Sequence, residues 1–243
     1  MGTIGRIDLN SDVGEGFGSW AGGPDEALMP LLTSVNVACG YHAGDPSIMR
    51  RTCALAGKHG CVVGAQVSYP DLGGFGRRFM DMQANELADA VVYQLGALDG
   101  FARLAGGPVR YVKPHGALYN AIVEHEVQAA AVAAAVSDFD SSLALLGLPS
   151  SAIQRACEHR GLRFVTEGFA DRAYTAGGLL VPRTQAGALI TDPVVAAAQA
   201  VELAAGGAES VCVHSDTPGA PMILAEVARA LVAAGLQLSP FVL

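Results

Sequence analysis

Short apolar segments rich in β-branched residues alternate along the chain with longer segments whose apolar positions recur every three or four residues. The first kind is typical of buried parallel strands, and the second is typical of amphipathic helices. The pattern predicts strands at residues 4–9, 34–38, 61–65, 109–113, 141–146, 162–165 and 209–213, with an eighth at 236–242. It predicts helices at residues 24–32, 46–58, 83–104, 126–137, 150–159, 193–205 and 220–234.

This alternation predicts an α/β fold in which helices cover a parallel sheet. No glycine-rich nucleotide loop follows the first strand, so seven or eight strand–helix units fit a closed (β/α) TIM-like barrel better than an open sheet. Because no linker or low-complexity tract interrupts the pattern, we expect residues 1–243 to form one barrel domain. Asp45 and Asp192 precede prolines at two helix starts and are predicted N-caps.

In such barrels, the chemistry lies at the carboxyl ends of the strands. Polar and ionisable residues gather there in this sequence, on or just after six of the strands, whereas the fifth strand carries almost none. We expect these residues to face one pocket: Asn10, Asp12, Glu15, Asn36, His42, Gln66, Lys113, His115, Glu167, His214 and Asp216.

Composition narrows the class of protein. Hydrophobic residues make up 51% of the chain and charged residues 16%, with a net charge of −8. There is no basic stripe for nucleic acid and no apolar run long enough to cross a membrane. The N-terminus has no secretory signal pattern and the five cysteines form no C-x-x-C pair, so we expect a cytoplasmic protein with reduced thiols. A homo-oligomer is compatible with the sequence.

A divalent metal that activates water is one hypothesis for the pocket, with Asp12 and His42 as candidate ligands. A third ligand would have to come from the third strand. Position 66 there is glutamine, a weak ligand, so no metal is firmly predicted. Hydrogen bonding of His42 to a loop carbonyl is the alternative.

Lys113, followed by Pro114 and His115, admits three interpretations. It could form a Schiff base, hold an anionic group as a fixed charge, or reach into solvent. His115 could act as a general acid or base. Four arginines in glycine-containing loops could each hold an anion: Arg77, Arg78, Arg172 and Arg183. The glycine-rich residues 68–78 suit either a mobile lid or a rigid turn.

Six segments resemble the signature motifs of the family of 5-oxoprolinase A subunits, also called lactam utilisation proteins: DLNSDVGEGFG, NVACGYHAGDP, SYPDLGGFGRR, VKPHGALYN, FADRAYTAGGLLVPRTQAGA and CVHSDTPGA. They occur in the family order over nearly the whole chain. The resemblance implies a distorted (β/α) barrel related to glycoside hydrolases and polysaccharide deacetylases. It also implies ATP-dependent opening of 5-oxo-L-proline, a lactam, to L-glutamate in a complex with the B and C subunits of 5-oxoprolinase.

This sequence departs from the family pattern in three places. Gln66 and Val67 stand where the family usually has histidine and proline, and Ser215 stands where it usually has glycine. The segment before the seventh strand is also shorter than usual. The first departure affects a residue expected to face the pocket, and therefore bears on any metal and on full activity.

Our leading hypothesis assigns water activation to Asp12 or Glu15, with His42, and protonation of the leaving nitrogen to Asp216 or His214. Lys113 and His115 would hold the substrate carboxylate or stabilise the oxyanion. Asn10, Asn36, Gln66, Glu167 and Arg183 are further candidate substrate-binding residues. ATP, as co-substrate with Mg²⁺, would be held by a partner protein or at an atypical site here, because the chain has no G-x-x-x-x-G-K-[ST] loop.

Three other hypotheses remain open from sequence. The chain could be a metal-dependent deacetylase-like hydrolase acting alone, or a non-catalytic component that binds ligand and scaffolds the B and C subunits. A Schiff-base aldolase acting through Lys113 is the third.

Overall fold

The fold is a closed barrel of seven parallel strands, as seen in a computed structural model that describes residues 5–242. This confirms the predicted TIM-like class. The strands are β1 (Arg6–Val13), β2 (Ser34–Ala38), β3 (Val62–Val67), β4 (Tyr111–Pro114), β5 (Ala144–Gly147), β6 (Arg163–Phe169), β7 (Ser210–Cys212) and a short β8 (Gln237–Leu238). The first strand was predicted to begin at residue 4, which lies outside the described residues.

The barrel closes through β1, which pairs with β2 on one side and with β7 on the other. Asp12 lies beside Asn36 across the first pairing, and Asp8 lies beside Ser210 across the second. Within residues 5–242, strand β8 pairs only with the start of β1, where Ile7 lies beside Leu238. The eighth predicted strand is therefore a two-residue strand at the amino end of the barrel and does not form part of the barrel wall.

The helices lie outside the barrel and follow the strands in the expected alternation: α1 (Asp25–Leu28), α2 (Pro46–His59), α3 (Ala84–Leu104), α4 (Gly116–Ala121), α5 (Glu126–Phe139), α6 (Ala152–Arg160), α7 (Pro193–Ala205) and α8 (Ala220–Ala233). Both predicted N-caps are confirmed, because Asp45 and Asp192 each accept two backbone N–H groups in the first turns of α2 and α7. No helix of residues 5–242 is long and apolar enough to cross a membrane.

Four further elements differ from the prediction. Strand β6 continues to Phe169, four residues beyond its predicted end, so Glu167 lies on the strand and not after it. Strand β1 continues to Val13, four residues beyond the predicted end, so Asn10 and Asp12 lie on the strand and not after it. Helix α4 was not predicted, because its six residues are too few to show a helical period. The helix predicted at 24–32 divides into α1 and a 3₁₀ turn, Met29–Leu31, which contains Pro30.

Two apolar layers stabilise this architecture. The larger one lies between strands and helices, and includes Leu9 of β1 and Leu95 of α3. The smaller one fills the barrel at its amino end, where Tyr111 contacts Phe241 with ring centroids 5.0 Å apart. A Cβ at Gly64 would lie 2.2 Å from the Tyr111 ring, so glycine is required there for the ring to fit.

All five cysteines are free and buried. Burial raises the pKa of Cys53 and Cys157 to about 12 and that of Cys61 to about 11. Burial also raises the pKa of Cys39 and of Cys212 well above the ordinary value. The thiols are therefore protonated at neutral pH.

Candidate active site

A cavity of about 450 Å³ opens at the carboxyl end of the barrel, within the size range of small-molecule sites. Seven of the predicted site residues line it: Asp12, Glu15, Lys113, His115, Arg183, His214 and Asp216. One side of the cavity wall is apolar and is formed by Tyr119, Leu148 and Phe169. The position agrees with the rule that barrel enzymes place their chemistry at this end.

Five of the predicted site residues lie in the layer that supports the cavity wall: Asn10, Asn36, His42, Gln66 and Glu167. Successive residues on a strand point to opposite faces, so Asp8, Asn10 and Asp12 of β1 all share the face that points into the barrel. Asn10 donates to Glu167 at 3.0 Å and to Ser210 at 2.7 Å, and its oxygen accepts from Asn36 at 2.8 Å. The polar positions of the sequence thus fill the barrel as well as its mouth.

Lys113 is the charged centre of this interior. Its ammonium lies 2.7 Å from Glu167 and 3.4 Å from Asp12, and it donates to the Asn10 oxygen at 3.2 Å and to the Cys212 sulfur at 3.0 Å. Burial acts to lower the pKa of Lys113, but the neighbouring Asp12, Cys212 and Glu167 outweigh it and hold the pKa well above the usual value.

Two expectations for Lys113 change as a result. An amine that forms a Schiff base must lose its proton, and this lysine is held as a cation. Its donors are already directed at protein groups, so it is also not a free cation for a substrate carboxylate. Its effect is on Asp12: burial acts to raise the pKa of Asp12, and Lys113, His214 and Asn36 lower it overall. Asp12 is therefore an anion at the floor of the cavity.

Gln66 lies at the centre of a second cluster, where its amide joins three side chains. The Gln66 nitrogen donates to Glu15 at 2.9 Å and to His115 Nδ1 at 2.9 Å, and the Gln66 oxygen lies 3.1 Å from His42 Nε2. The opposite amide orientation would place the Gln66 oxygen against the Glu15 carboxylate, which is repulsive. The orientation and the hydrogen positions are thus assigned from the network.

The tautomers of both histidines follow from these contacts. His115 Nε2 donates to the Phe75 carbonyl at 2.9 Å, so its Nδ1 is the acceptor for Gln66. Burial and the nearby His42 lower the pKa of His115 well below its usual value, which keeps the ring neutral. The His42 ring stacks on the His115 ring with centroids 3.9 Å apart. His42 Nε2 is the donor to Gln66, and its buried Nδ1 has no partner among the described residues.

The metal hypothesis can be tested against this cluster. Glu15, His42 and His115 each offer a ligand atom within 4.8 Å of the others, whereas Asp12, the predicted partner of His42, pairs with Lys113 instead. The Gln66 amide lies within hydrogen-bond distance of the three side-chain atoms that face one another in this cluster, Glu15 Oε1, His42 Nε2 and His115 Nδ1. The Gln66 amide therefore occupies the space between these atoms, and a metal would fit only if Gln66 moved away.

A third cluster contains a His–Asp pair. His214 Nδ1 lies 3.0 Å from the Asp171 carboxylate, which also accepts from the His214 backbone N–H and from Thr217. Burial acts to raise the pKa of Asp171, but His214 and these hydrogen bonds lower it overall, so Asp171 stays an anion. The pair leaves the other ring nitrogen of His214 available to the cavity, which His214 lines.

Asp171 follows strand six with the other polar residues of the strand ends, but the sequence assigned it no role, because its partner His214 is 43 residues away. The DR pair in the FADR segment after strand six was the available signal.

Asp216 was predicted to protonate the leaving nitrogen, and the structure corrects this expectation. Arg77 donates to it at 2.5 Å and Arg183 at 2.9 Å. Burial acts to raise the pKa of Asp216, but Arg183 and Arg77 outweigh it and the pKa is about 2. A carboxyl group with that pKa holds no proton to donate at neutral pH.

Comparisons with known proteins identify the family. The profile of the LamB/YcsF family matches residues 7–242. The chain belongs to the LamB/YcsF family. It is 52% identical to the A subunit of 5-oxoprolinase from Streptomyces coelicolor, over 97% of this chain and 99% of that one, and 53% identical to the one from Kocuria rhizophila, over 97% and 98%. The resemblance drawn from the six motifs is confirmed.

The solved structures agree with this family assignment. The lactam utilization protein from Thermus thermophilus superposes with a TM-score of 0.92 at 40% identity, covering 97% of this chain and 100% of that one. A family 4 carbohydrate esterase from Streptomyces lividans superposes with a TM-score of 0.52 at 14% identity, covering 96% of this chain and 91% of that one. The second likeness shows only that the LamB/YcsF chain shares the deacetylase type of barrel.

Proposed function

We propose that this chain is the A subunit of an ATP-dependent 5-oxoprolinase and carries out the hydrolytic opening of the lactam ring together with the B and C subunits. The names of its relatives support its assignment to a 5-oxoprolinase system. The observation that carries the catalytic part is the Asp171–His214 pair, whose histidine lines one cavity with the carboxylates of Asp12 and Glu15.

The chemistry accounts for the use of ATP. A five-membered lactam is an unstrained amide stabilised by resonance, so water opens it slowly and with little driving force. Phosphorylation of the lactam oxygen by ATP makes the ring carbon electrophilic. Water then adds to that carbon, the carbon–nitrogen bond breaks, and the nitrogen leaves with a proton, which gives γ-glutamyl phosphate. A second water releases inorganic phosphate from this acyl phosphate and leaves L-glutamate. ATP and its Mg²⁺ bind either at the mouth of this cavity or on a partner protein of the complex.

His214 is suited to move the two protons of this reaction. Asp171 holds the Nδ1 proton of His214, which leaves the Nε2 lone pair free to accept the proton of the attacking water. The same nitrogen then returns a proton to the departing ring nitrogen. Asp171 also compensates the charge of the imidazolium that forms between the two steps.

The carboxylates position the water and the activated carbon. Asp12 is kept anionic by Lys113 and accepts a hydrogen bond from Asn36 at 2.9 Å, so its remaining lone pairs can orient the water. Glu15 is fixed by the Gln66 amide, and His115 is fixed by Phe75 and Gln66. This preorganisation supports catalysis because the groups need no rearrangement when charge develops.

The test is glutamate release from 5-oxo-L-proline by the reconstituted complex of this chain, the B and C subunits, and ATP. We expect His214→Asn to lower kcat about 10²- to 10⁴-fold, which is the usual contribution of a general acid–base group. His159→Asn is the matched control, because His159 lies exposed on α6. We expect it to leave kcat unchanged.

Two outcomes would contradict the proposal. Full activity of the B and C subunits without this chain would remove the chemistry from it. Unchanged turnover with both His214→Asn and Asp12→Ala would instead favour a non-catalytic scaffold. The metal-dependent hydrolase has its own test: it requires stoichiometric zinc or manganese in the purified chain and loss of activity under chelation.

A further inference from the structure

Three arginines from two loops meet at the mouth of the cavity. Arg77 lies near the end of the glycine-rich loop after β3, and Arg172 and Arg183 belong to the long segment after β6. All three line the cavity together with Asp216. Arg77 and Arg183 donate to this one carboxylate.

Arg172 is the least compensated of the three cations. It is 6% exposed, and its hydrogen bonds go to the backbone carbonyls of Val181, at 2.6 Å, and Ala188, at 3.4 Å. Among the ion pairs of residues 5–242, none joins Arg172 to a carboxylate. Burial lowers the pKa of Arg172, the nearby Arg183 and Arg77 lower it further, and the adjacent Asp171 offsets only part of this effect.

A purely structural role explains only part of this arrangement. The carbonyl contacts of Arg172 hold the segment between Ala173 and Ala188 against the barrel, and a neutral donor could make the same contacts. Desolvating a guanidinium beside two others is unfavourable unless an anion offsets it. Asp216 and Asp171 supply two negative charges against three positive ones, and Asp171 already pairs with His214.

We propose that Arg77, Arg172 and Arg183 form a subsite for an anionic oxygen group of a substrate, in which Asp216 occupies the donors of Arg77 and Arg183 until the anion binds. The proposal rests on the proposed function. Lys113 is already saturated by Asp12 and Glu167, so these arginines are the available cations of the cavity. The guanidinium fork matches both possible groups, the carboxylate of a lactam acid and the phosphate of the co-substrate.

Calorimetric titration of the full chain distinguishes the two sources. The probes are 5-oxo-L-proline, 2-pyrrolidinone (the same lactam without the carboxylate) and inorganic phosphate. We expect Arg183→Gln and Arg172→Gln to weaken binding of the anionic probe about 10- to 100-fold, the range for charged hydrogen bonds. Binding of 2-pyrrolidinone should not change.

Two further variants keep the test decisive. Asp216→Asn removes the competing carboxylate, so we expect it to tighten binding of the anion several-fold, a change that loss of folding cannot produce. Arg229→Gln is the control, because Arg229 is exposed on α8 and pairs with Glu226 away from the cavity. It should leave all affinities unchanged.

Each result has a defined meaning. Arginine-dependent binding of 5-oxo-L-proline identifies the carboxylate as the anion, and arginine-dependent binding of phosphate alone identifies the co-substrate. Phosphate binding with no binding of 5-oxo-L-proline keeps the subsite but contradicts the lactam function. Unchanged binding of both anions by the arginine variants, equal losses for 2-pyrrolidinone, or no binding of any probe to the wild type would overturn the subsite.

Discussion

At the scale of single residues, the barrel interior contains many polar groups that hydrogen-bond to one another. Asp8 lies below the site and accepts hydrogen bonds from Thr33 at 2.6 Å, from Ser34 at 2.8 Å and from Ser210. Burial raises its pKa to about 6 in spite of these donors. Desolvation therefore outweighs hydrogen bonding at this position, and folding favours the protonated form.

This imbalance predicts a pH-dependent stability. Because the pKa of Asp8 is higher in the folded chain than its ordinary value of 3.8, its contribution is present at low pH and is lost as the pH rises through about 6. We expect the free energy of unfolding of the wild type, relative to Asp8→Asn, to fall by about 2 kcal/mol between pH 4.5 and 7.5. Urea unfolding at both pH values measures it.

The same comparison contains its own control. Asp25 also has a pKa raised to about 6, but it is present in both proteins and cancels from the difference. A difference between wild type and Asp8→Asn that is the same at both pH values would show that Asp8 titrates normally.

The sequence predicted which residues lie near the cavity, but it did not predict how deep in the barrel each one lies. The sequence placed Asp12, Glu15, Lys113 and His115 at the cavity, because residues at strand ends meet in a barrel. The sequence could not distinguish these four residues from Asn10 and Gln66, which lie one layer deeper in the barrel. Polar residues were expected only after the ends of the strands. The ion pairs that disqualify Asp216 as an acid join residues 139 and 33 positions apart, beyond any local pattern.

At the scale of elements, the glycine-rich loop after β3 is held in one conformation by hydrogen bonds. Asp71 accepts from the Gly74 and Arg78 backbones, and Gln94 of α3 holds the Ser68 backbone through both its N–H and its carbonyl. Gly76 adopts φ +65° and its carbonyl accepts from Ala117 of α4. The loop thereby fixes α4 and the histidine pair in one unit.

This packing gives a test at Gly76. A Cβ there would lie 2.3 Å from the Ser68 hydroxyl and 2.9 Å from both His42 and His115, in a backbone conformation that alanine avoids. We expect Gly76→Ala to reduce glutamate release by the reconstituted complex at least about tenfold, since small displacements of positioned groups are costly in rate.

Gly73→Ala, in the same loop, is the matched control. A Cβ at Gly73 meets only the end of the Arg78 side chain, at 3.6 Å, and we expect normal turnover. Equal activities of the two variants would mean that the loop tolerates movement, as a mobile lid would.

The elements themselves were largely predictable, and the exceptions have physical reasons. The strands and long helices follow from periodicity, because burial on one or two faces imposes it. The prediction ended strand β1 too early because Asn10, Ser11 and Asp12 are polar. These residues nevertheless belong to the strand, since this part of the barrel interior is itself polar. Helix α4 has six residues and no side-chain cap, so it had no local signal.

At the scale of the whole molecule, the two ends of the barrel have separate tasks. The carboxyl end holds the polar cavity, and the amino end is filled by Tyr111, Val165 and the C-terminal residues Phe241 and Val242. One hydrogen bond links the two ends, because the Tyr111 hydroxyl donates to Asn36 at 2.8 Å. Phe241 contacts Tyr111 through its ring, so we expect its removal to leave this bond in place and stability and binding to vary independently.

Phe241→Ala tests this separation. Phe241 is partly buried against Tyr111, so we expect its removal to lower the free energy of unfolding by about 2 kcal/mol, less than for a fully buried phenylalanine. The KM of the reconstituted complex for 5-oxo-L-proline should not change. Leu104→Ala, at a position 69% exposed, is the control and should remain within about 0.5 kcal/mol of wild type. A rise in KM for Phe241→Ala would mean that the two ends are coupled.

The buried cysteines have a practical consequence for experiments on this chain. Each thiol is shielded from solvent and protonated, so an alkylating or disulfide-exchange reagent can reach it only when the surrounding structure opens. Four of the five cysteines belong to the outer layer, including Cys53 on α2 and Cys157 on α6, and Cys212 lies on β7 beside the cavity wall. Mass-resolved labelling would therefore record the order in which parts of the barrel open, with the native sequence serving as its own set of probes.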